Sequence, residues 1–285
     1  MSTRRADGWQ FDHGAQYFSV RDERFRSLVE FGLSEGRIAR WVGYIAVLRD
    51  RRADLKEGHV DRFVGVPTMN AVCRQLASNL DVVLRTRVAV LDRIDGRWHL
   101  KSDRQAELGS YEAVVVSAPA PQTAELLSNP APEMAAEAAR ATLAPCWAAM
   151  AAFGSSLDLG FDAAFVEDSA LSWVARNNSK PGRPDAEAWV LHASPAWSLE
   201  HLEVERGDAA RWLLDAFRLA VGGLDGEPTR LDAHRWRFAL PTEPLPEPFL
   251  YDEHLRLGAC GDWCGGPRVE GAFLSGLALA QRLLG

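Results

Sequence analysis

The pattern of hydrophobic and polar positions predicts both helices and strands along the chain. Apolar residues recur at helical spacing in several stretches. These predicted helices are Arg21–Gly36, Ala120–Leu127, Asp208–Val221 and Val269–Leu284. A shorter helix is expected after Pro67, with Thr68 as its N-cap. Its inward-facing residues would be Met69, Val72, Cys73 and Leu76.

Strand patterns begin after that helix. Val82–Ile94 alternates between apolar and polar residues, Asp95-Gly96 suits a two-residue turn, and Arg97–Ser102 returns, which together predict a β-hairpin. Ala113–Val116 is a short unbroken apolar run. Such a run is typical of a strand that is covered on both faces in a parallel sheet.

The middle of the chain has a different texture, because its strand-like runs are separated and rich in tryptophan. These predicted strands are Cys146–Phe153, Leu171–Asn177, Ala188–Ser194 and Arg230–Leu240. The chain then returns to a strand at Leu255–Cys260 and to the closing helix. We therefore predict an α/β fold built from both ends of the chain and an α+β middle, in a discontinuous two-domain arrangement.

Composition and charge narrow the function classes. The chain has 285 residues, of which 47% are hydrophobic and 25% charged, a mixture typical of globular proteins. The net charge of −7 argues against a nucleic-acid or anionic-membrane binder, although it leaves room for a local basic pocket for a small anion. No signal peptide pattern is visible, so we expect a cytoplasmic protein.

The four cysteines predict neither a disulfide scaffold nor a zinc site. They are scattered apart from Cys260 and Cys264, whose spacing lacks the usual pattern of zinc ligands. The simplest interpretation is reduced, buried thiols. We also predict no other metal site, and no hydrolase or phosphate-loop motif is present in the sequence.

The closing stretch carries a candidate binding motif. A predicted strand ends at Gly261-Asp262, and a helix begins near Val269 with free backbone N–H groups at the positive end of its dipole. Gly271 and Ala272 would let a flat ring approach the backbone. The alternative is that Gly271 and its neighbours Ser275 and Gly276 only permit close helix packing, and the sequence leaves both interpretations open.

Four stretches resemble one known family. Met1–Phe18 and Gly261–Gly276 do so closely, and Trp173–Arg183 and His234–Pro241 do so less specifically. The chain is thereby similar, over nearly its whole length, to bacterial renalase-like proteins within the flavin-containing amine oxidase superfamily. The resemblance implies an FAD/NAD(P)-binding Rossmann-like domain with an inserted substrate domain that has a mixed or antiparallel sheet.

The resemblance also implies domain limits. Residues 1–32, 66–130 and 252–285 would form the FAD-binding domain, and residues 33–65 and 131–251 the substrate domain. In the family, a strand, a Gly-x-Gly-x-x-Gly turn and a helix open the first of these domains. No such motif occurs in this sequence. We therefore expect the chain as given to lack the first βαβ element, with Met1 an internal methionine, and to hold FAD poorly without it.

The resemblance assigns cofactor-binding roles to two groups of residues. Asp262 would bind the ribityl hydroxyls, Val88 the adenine, and the start of the last helix the flavin edge, while Arg4 would meet the pyrophosphate. As bare sequence, an arginine near a terminus, such as Arg4, is more often solvated, and Val88 is only a strand residue. The full set is Ser2, Arg4, Gly14, Ala15, Gln16, Val88, Gly261, Asp262, Arg268, Val269, Glu270, Gly271 and Ala272.

A substrate pocket is implied as well, although no residue is marked as catalytic. Gln16 and Tyr17 would face it, and Trp173, Asn177 and Trp236 are candidates to line it. The alternative is that most of the tryptophans belong to the core, since burial is usual for so large a ring. The neighbouring Lys180 is expected in an ordinary surface loop.

The resemblance implies an FAD-dependent oxidoreductase. Such an enzyme would oxidise a small hydride donor, such as dihydronicotinamide isomers, with oxygen as acceptor. Two alternatives remain: a flavin amine oxidase acting on another small molecule, or a truncated, non-catalytic fragment that cannot hold FAD. The expected partners are a small-molecule substrate, with a nicotinamide nucleotide among the candidates, and oxygen, without nucleic acid or membrane.

Overall fold

The computed structural model describes residues 1–6, 8–56, 60–224 and 226–285. Its helices are α1 Glu23–Ser34, α2 Ala71–Leu76, α3 Ala120–Leu127, α4 Pro132–Ala138, α5 Pro195–Glu200, α6 Arg206–Ala220 and α7 Val269–Leu284, and a single 3-10 turn covers Asn177–Ser179.

Short strands dominate the first half of the chain and longer ones the second. They are β1 Arg4–Ala6, β2 Trp9–Phe11, β3 Ile38–Arg40, β4 Ile45–Arg49, β5 Arg52–Leu55, β6 Phe63–Gly65, β7 Val88–Ile94, β8 Arg97–Ser102, β9 Glu107–Tyr111, β10 Val114–Val116, β11 Thr142–Ala152, β12 Ala163–Val166, β13 Leu171–Arg176, β14 Ala188–Ala193, β15 Arg230–Glu243, β16 Leu250–Asp252 and β17 Leu257–Ala259.

The chain divides into two compact units. Unit 1 comprises Met1–Ser78 and Pro145–Ala239, and unit 2 comprises Asn79–Ala144 and Leu240–Gly285. This division differs from the predicted domains, because residues 1–32 belong to unit 1 together with most of the predicted substrate domain. The assignment of a cofactor-binding and a substrate domain stays a prediction.

Unit 1 is built on a seven-stranded sheet in the order β15-β11-β14-β13-β12-β4-β5. Strand β12 runs parallel to β4 and antiparallel to β13. The inner strands are apolar on both faces, so they lie fully inside, as at Val174 and Leu191. Helix α6 packs Phe217 against Trp189, with ring centroids 5.2 Å apart. The predicted mixed sheet with a backing helix is confirmed.

Helix α1 shows how local signals place an element in unit 1. The side chain of Asp22 accepts a hydrogen bond from the Arg24 N–H and caps the helix. Phe25 and Val29 are buried on its inner face, as the helical spacing predicts. A side chain at Gly32 would overlap Ile38, so glycine allows β3 to lie close to the helix.

Unit 2 contains a three-stranded sheet in the order β10-β17-β16 and an antiparallel meander, β7-β8-β9. Strands β10 and β17 are parallel, as predicted. Helix α7 packs on β17 so closely that a Cβ on Gly258 would lie 2.8 Å from Leu279 Cδ2. Trp98 and Trp263 are fully buried in the core of this unit.

Three local predictions are wrong. The helix after Pro67 begins at Ala71 with Asn70 as N-cap, because the Thr68 hydroxyl donates to Asn70 Oδ1 and not to the helix backbone. Cys73 and Leu76 of this helix are exposed, although the pattern predicts that they face inward, because only Ala71 and Val72 are buried in the helix. The hairpin strand begins only at Val88, because the apolar residues before it are exposed. These are Val82, Val83 and Leu84.

Strand β10 also differs from its prediction in one respect. Val116 is buried, but Val115 is 45% exposed, so β10 is not covered on both faces. β10 is the edge strand of its sheet, which leaves one of its sides without a strand neighbour in the described structure. Within the described residues, no helix is long and apolar enough to cross a bilayer.

Candidate active site

A buried ion pair holds the segment that follows β2 in unit 1. Arg183 donates from Nε and Nη2 to Asp12 Oδ2, at 3.0 and 2.6 Å, and both side chains are fully buried. The other carboxylate oxygen accepts from the Thr3 hydroxyl at 2.6 Å. Burial alone would raise the pKa of Asp12, but the charges of Lys180 and Arg183 outweigh it and hold that pKa below its usual value.

Lys180 lies in the same buried network. Its Nζ donates to Gln16 Oε1 at 2.9 Å and to Asn177 Oδ1 at 3.4 Å, and it lies 3.9 Å from Asp12 Oδ2. Burial lowers the pKa of Lys180 to about 7, with Asp12 opposing that shift. The prediction of a surface loop at Lys180 is wrong, since its side chain is fully inaccessible.

Gln16 and Asn177, both predicted near the substrate, belong to this network. The Gln16 amide donates to the backbone carbonyls of Asp12 and Gly14 while its oxygen accepts from Lys180. The Asn177 amide donates to the Gln10 carbonyl at 2.8 Å, and its oxygen accepts from the Asp12 N–H at 3.1 Å. Both amides are therefore fixed in orientation by buried partners.

Tyr17 and Trp173 come together in an aromatic cluster with Trp41. The ring centroid of Tyr17 lies 5.6 Å from that of Trp173 and 6.1 Å from that of Trp41, and both distances are in the range of favourable aromatic pairs. Trp41 Nε1 donates to Ser179 Oγ at 3.1 Å. Trp173 Nε1 is buried and has no hydrogen-bond partner among the described residues, which is costly for an indole N–H.

Trp236 belongs to a second cluster, with two histidines. Its indole stacks on His13 at 5.3 Å and meets the His234 ring edge-on at 4.3 Å. Trp236 Nε1 donates to the His13 carbonyl at 2.9 Å. Burial, followed by the repulsion of His234, lowers the pKa of His13 to about 4. The imidazole is therefore neutral near pH 7.

A third histidine supports the same backbone group. His192 Nε2 lies 3.2 Å from the His13 carbonyl, and because a carbonyl can only accept, this nitrogen carries the proton. Burial lowers the pKa of His192 to about 4. Two N–H groups thus converge on one carbonyl beside Gly14, where a Cβ would lie 3.3 Å from the Ser2 nitrogen. Ala15 follows as a half-buried residue.

Arg4 is engaged within unit 1. Its Nη1 lies 2.5 Å from Asp232 Oδ2, and its Nη2 approaches His234 Nδ1 at 3.4 Å. Asp232 also meets Arg206 at 3.2 Å. A pyrophosphate would therefore compete with a carboxylate for Arg4, which makes the predicted phosphate role of this side chain costly.

The predicted binding motif at Gly261-Asp262 and the start of α7 is held by a serine hydroxyl that is bonded to two backbone groups. Ser275 Oγ accepts from the Gly261 N–H at 3.0 Å and donates to the Pro248 carbonyl at 2.6 Å, which ties α7 to the end of β17. Asp262 is half-buried, and burial raises the pKa of its carboxyl, although backbone N–H groups of Asp262 and Trp263 oppose the shift.

The start of α7 has features of both interpretations that the sequence leaves open, namely a binding site for a flat ring and a site of close helix packing. The Arg268 side chain, at the N-cap position, makes no hydrogen bond to the N–H groups of the first turn. A side chain at Gly271 would overlap the Gly266 carbonyl, so that side of the glycine is already filled by the chain. Ala272 is exposed and Glu270 buried. Val88 lies apart from them, in the β7-β8-β9 sheet.

Several side chains of the site were missed from the sequence. Asp12 and Arg183 are 171 positions apart, and nothing in the spacing links them. His13 lies in the opening stretch but receives no role from the resemblance, His192 is a dispersed histidine without a motif, and Trp41 lies outside the stretches that carry the resemblance. The described residues contain no group of three or more His, Cys, Asp or Glu side chains suited to a metal ion.

The comparisons with known proteins agree with one another. The sequence model of a family described as flavin containing amine oxidoreductase matches residues 46–284. A proposed protoporphyrinogen oxidase from Exiguobacterium sp. 255-15 is 15% identical with a TM-score of 0.61, over 78% of this chain and 52% of that one. Cyclohexylamine oxidase from Brevibacterium oxydans IH-35A is 13% identical with a TM-score of 0.57, over 78% and 53%.

An oxidoreductase from Methanosarcina mazei is 16% identical with a TM-score of 0.53, over 79% of this chain and 56% of that one. At these identities the likeness shows the fold alone. The chain spans about half the length of the solved structures that it matches.

Proposed function

Because the chain belongs to the flavin-containing amine oxidoreductase family, we propose that it is an FAD-dependent oxidoreductase that oxidises a small molecule. The observation that carries the proposal is the family match over residues 46–284, which includes β13 with Trp173, β15 with Trp236 and all of α7. When bound, the flavin supplies the two-electron chemistry, so the protein's task is to orient the donor and exclude competing reactions.

The residues of unit 2 fit the flavin end of the cofactor. The start of α7 lies at the positive end of the dipole of a 16-residue helix and has no side-chain cap from Arg268, which suits the electron-rich edge of the ring. Asp262 follows β17 by three residues and has a half-buried carboxylate, a group that accepts hydrogen bonds from hydroxyls such as those of a ribityl chain. We assign Gly261, Asp262 and Arg268–Ala272 to this role, and Ser2, Gly14, Ala15, Gln16 and Val88 stay candidates from the resemblance.

The fit is poorer for the pyrophosphate. Arg4 is paired with Asp232, and that carboxylate would have to be displaced before the guanidinium could bind phosphate. We therefore propose that Arg4 serves mainly to fix the N-terminal strand, and that phosphate binding falls to other groups.

The substrate side is proposed to lie at the aromatic residues of unit 1. Gln16, Tyr17, Trp173, Asn177 and Trp236 remain the candidates, and the buried network at Lys180 supports them by holding Gln16 and Asn177. Both His13 and His192 have a pKa of about 4, so neither of these two imidazoles is cationic at neutral pH.

We further propose a renalase-like reaction, in which a dihydronicotinamide isomer is the hydride donor and oxygen the acceptor. A dihydronicotinamide can give up hydride without a strong general base, in keeping with a site whose histidines are held neutral. The resemblance of the opening and closing motifs supports this substrate over an amine. A cytoplasmic location stays a prediction.

Stopped-flow spectroscopy tests the proposal. The FAD-loaded protein is mixed anaerobically with dihydronicotinamide isomers, then with benzylamine in a separate run, and the oxidised-flavin absorbance is followed. We expect rapid bleaching with the isomers and recovery on admission of oxygen. Bleaching by the amine alone would favour an amine oxidase, and no bleaching by either compound would favour a non-catalytic role.

A further inference from the structure

A small cavity of about 150 Å³ opens in unit 1 next to the aromatic cluster. Trp41 forms part of its wall, and three cationic side chains, Arg40, Lys56 and Arg62, line it together with one carboxylate among the described residues, Asp61. A chain with a net charge of −7 therefore has a locally positive cavity. Such an excess of cations draws compact anions.

The charges in this cavity are only partly compensated. Arg40 Nη1 is paired with Asp61 Oδ1 at 3.0 Å. Lys56 and Arg62 form no ion pair within the part of the chain that the structure describes. Two positive charges therefore remain for a ligand. Asp162, which packs near Gly43, has its carboxylate committed to the Tyr44 N–H and to Arg176.

Both free cations are held against aromatic rings. The Arg62 guanidinium lies 5.3 Å from the Tyr17 ring centroid, and Lys56 Nζ lies 4.5 Å from that of Phe165. Arg62 Nε is buried and has no hydrogen-bond acceptor among the described residues, while Nη1 donates to the Val60 carbonyl at 3.3 Å. An unfilled buried donor on a charged group is the feature that an incoming oxyanion would satisfy.

A larger cleft in the same unit shows the opposite arrangement. It has a volume of about 480 Å³ and is lined by Arg176, Asp185 and Glu187. Arg176 lies 3.4 Å from Glu187, and Glu187 also accepts from Trp189 Nε1 at 2.7 Å and the Leu157 N–H at 3.2 Å. Arg176 Nε, like Arg62 Nε, is buried and has no hydrogen-bond partner among the described residues. Unlike the cations of the smaller cavity, however, Arg176 has its charge compensated by the carboxylates of Glu187 and Asp162, so this cleft has no uncompensated positive charge at Arg176 to attract an anion.

We propose that the smaller cavity is an anion subsite that binds a phosphate or carboxylate group of the substrate. Its volume suits a compact end group and is below that of pockets that enclose a whole cofactor or drug-sized ligand. Arg62 connects it to Tyr17, a candidate substrate residue, so an anion here would anchor a donor near that ring. This rests on the proposed function and gives it a substrate class: an anionic donor, with cationic amines disfavoured.

Direct binding tests the subsite without flavin or turnover. Isothermal titration calorimetry of the 285-residue chain is run with phenyl phosphate, benzoate and benzylamine, and with inorganic phosphate, at low ionic strength. We expect the two aromatic anions to bind and benzylamine not to bind, with affinity falling as salt is added. Phenyl phosphate against benzoate distinguishes a phosphate site from a carboxylate site.

Two variants locate the site. Lys56→Gln changes an exposed side chain, and Arg62→Gln changes the buried donor, so each should weaken anion binding about tenfold, equivalent to ~1.4 kcal/mol. The matched control is Arg74→Gln, which removes the same charge from an exposed residue outside the cavity and should leave the affinity unchanged. Circular dichroism checks that each variant folds. If Arg62→Gln does not fold, the affinity of Lys56→Gln alone decides whether the cavity binds the anion.

Equal binding of benzylamine and phenyl phosphate would overturn the proposal. So would an unaltered affinity in Lys56→Gln, or an equal loss in Arg74→Gln, which would indicate a net-charge effect. Because flavin is absent from this experiment, a negative result would overturn the anion subsite and leave the oxidoreductase proposal standing. A chain that binds anions here but never binds FAD would support the anion subsite and contradict the oxidoreductase proposal.

Discussion

The two segments that the resemblance assigns to the cofactor are held by different forces. In unit 1, the stretch after β2 is fixed by buried charges, with Asp12 between Arg183 and Lys180. In unit 2, the start of α7 is fixed by close backbone packing and one serine hydroxyl, at Gly271 and Ser275. The buried charges connect residues that are far apart in sequence, whereas Gly271 and Ser275 stabilise a local junction between β17 and α7.

The comparison predicts its largest effect at the buried ion pair. Arg183→Met leaves the Asp12 carboxylate buried without the guanidinium that donates twice to its Oδ2, and should lower the free energy of unfolding by about 3–5 kcal/mol. Chemical denaturation followed by tryptophan fluorescence measures it. Arg49→Met is the control, since its ion pair with Glu167 is on the surface and its loss should hardly move the midpoint.

The second prediction concerns pH. The pKa of Lys180 is about 7 in the folded chain against an ordinary value of 10.5, so between these values the unfolded chain binds the extra proton. The free energy of unfolding should therefore rise with pH across that window, by up to a few kcal/mol, and stay level below it as far as Lys180 is concerned.

Lys180→Met should lose this rise. Denaturation curves for both proteins at several pH values give the difference, which removes the contribution of other groups. A parallel pH dependence in the two proteins would show that Lys180 stays charged in the folded state, and the buried network would then need another explanation.

The third prediction addresses close packing in unit 2. Gly271→Ala forces a Cβ into the Gly266 carbonyl and should cost about 1–3 kcal/mol. Gly276→Ala is its matched control in the same helix, because nothing lies within 4 Å of the added Cβ. Alanine is the better helix former, so the control should gain up to about 1 kcal/mol. Thermal unfolding that ranked both variants alike would contradict the packing interpretation.

The smallest effect is expected at Ser275. Ser275→Ala removes the acceptor of the Gly261 N–H and the donor to the Pro248 carbonyl, at a cost of about 1–2 kcal/mol. Hydrogen exchange at the Gly261 amide is the sharper measurement, since the amide should exchange faster in the variant. Unaltered exchange there would mean that the hydroxyl does not hold the end of β17.

Predictability from sequence follows the same division. The β7–β8 hairpin and α7 were predictable because their signals, a turn dipeptide and helical spacing, are local. The burial of Lys180 was not, since its neighbours Asn178 and Ser179 are typical of a loop, and its shorter hydrogen bond and its nearby carboxylate come from Gln16 and Asp12, in another part of the chain. Tertiary burial likewise decided that Cys73 is exposed, against a pattern that placed it inward.

The site divides in the same way. The motifs brought Gln16, Asn177, Tyr17 and Trp173 into the prediction, and the structure joins them in two pairs by contacts of unit 1. The pattern could not show that Arg4 is engaged by Asp232, because an ion pair 228 positions apart leaves no mark on spacing.

The most direct test of the account is an FAD titration of the purified chain, alone and as Asp262→Ala, followed by flavin fluorescence. The account predicts weak but saturable binding of one FAD, because the sequence lacks a Gly-x-Gly-x-x-Gly motif. Binding should be weaker in the variant by about tenfold or more, as for loss of a charged hydrogen-bond acceptor. Absence of FAD binding by the parent chain would contradict the proposed oxidoreductase. Equal binding by both proteins would contradict the role assigned to Asp262.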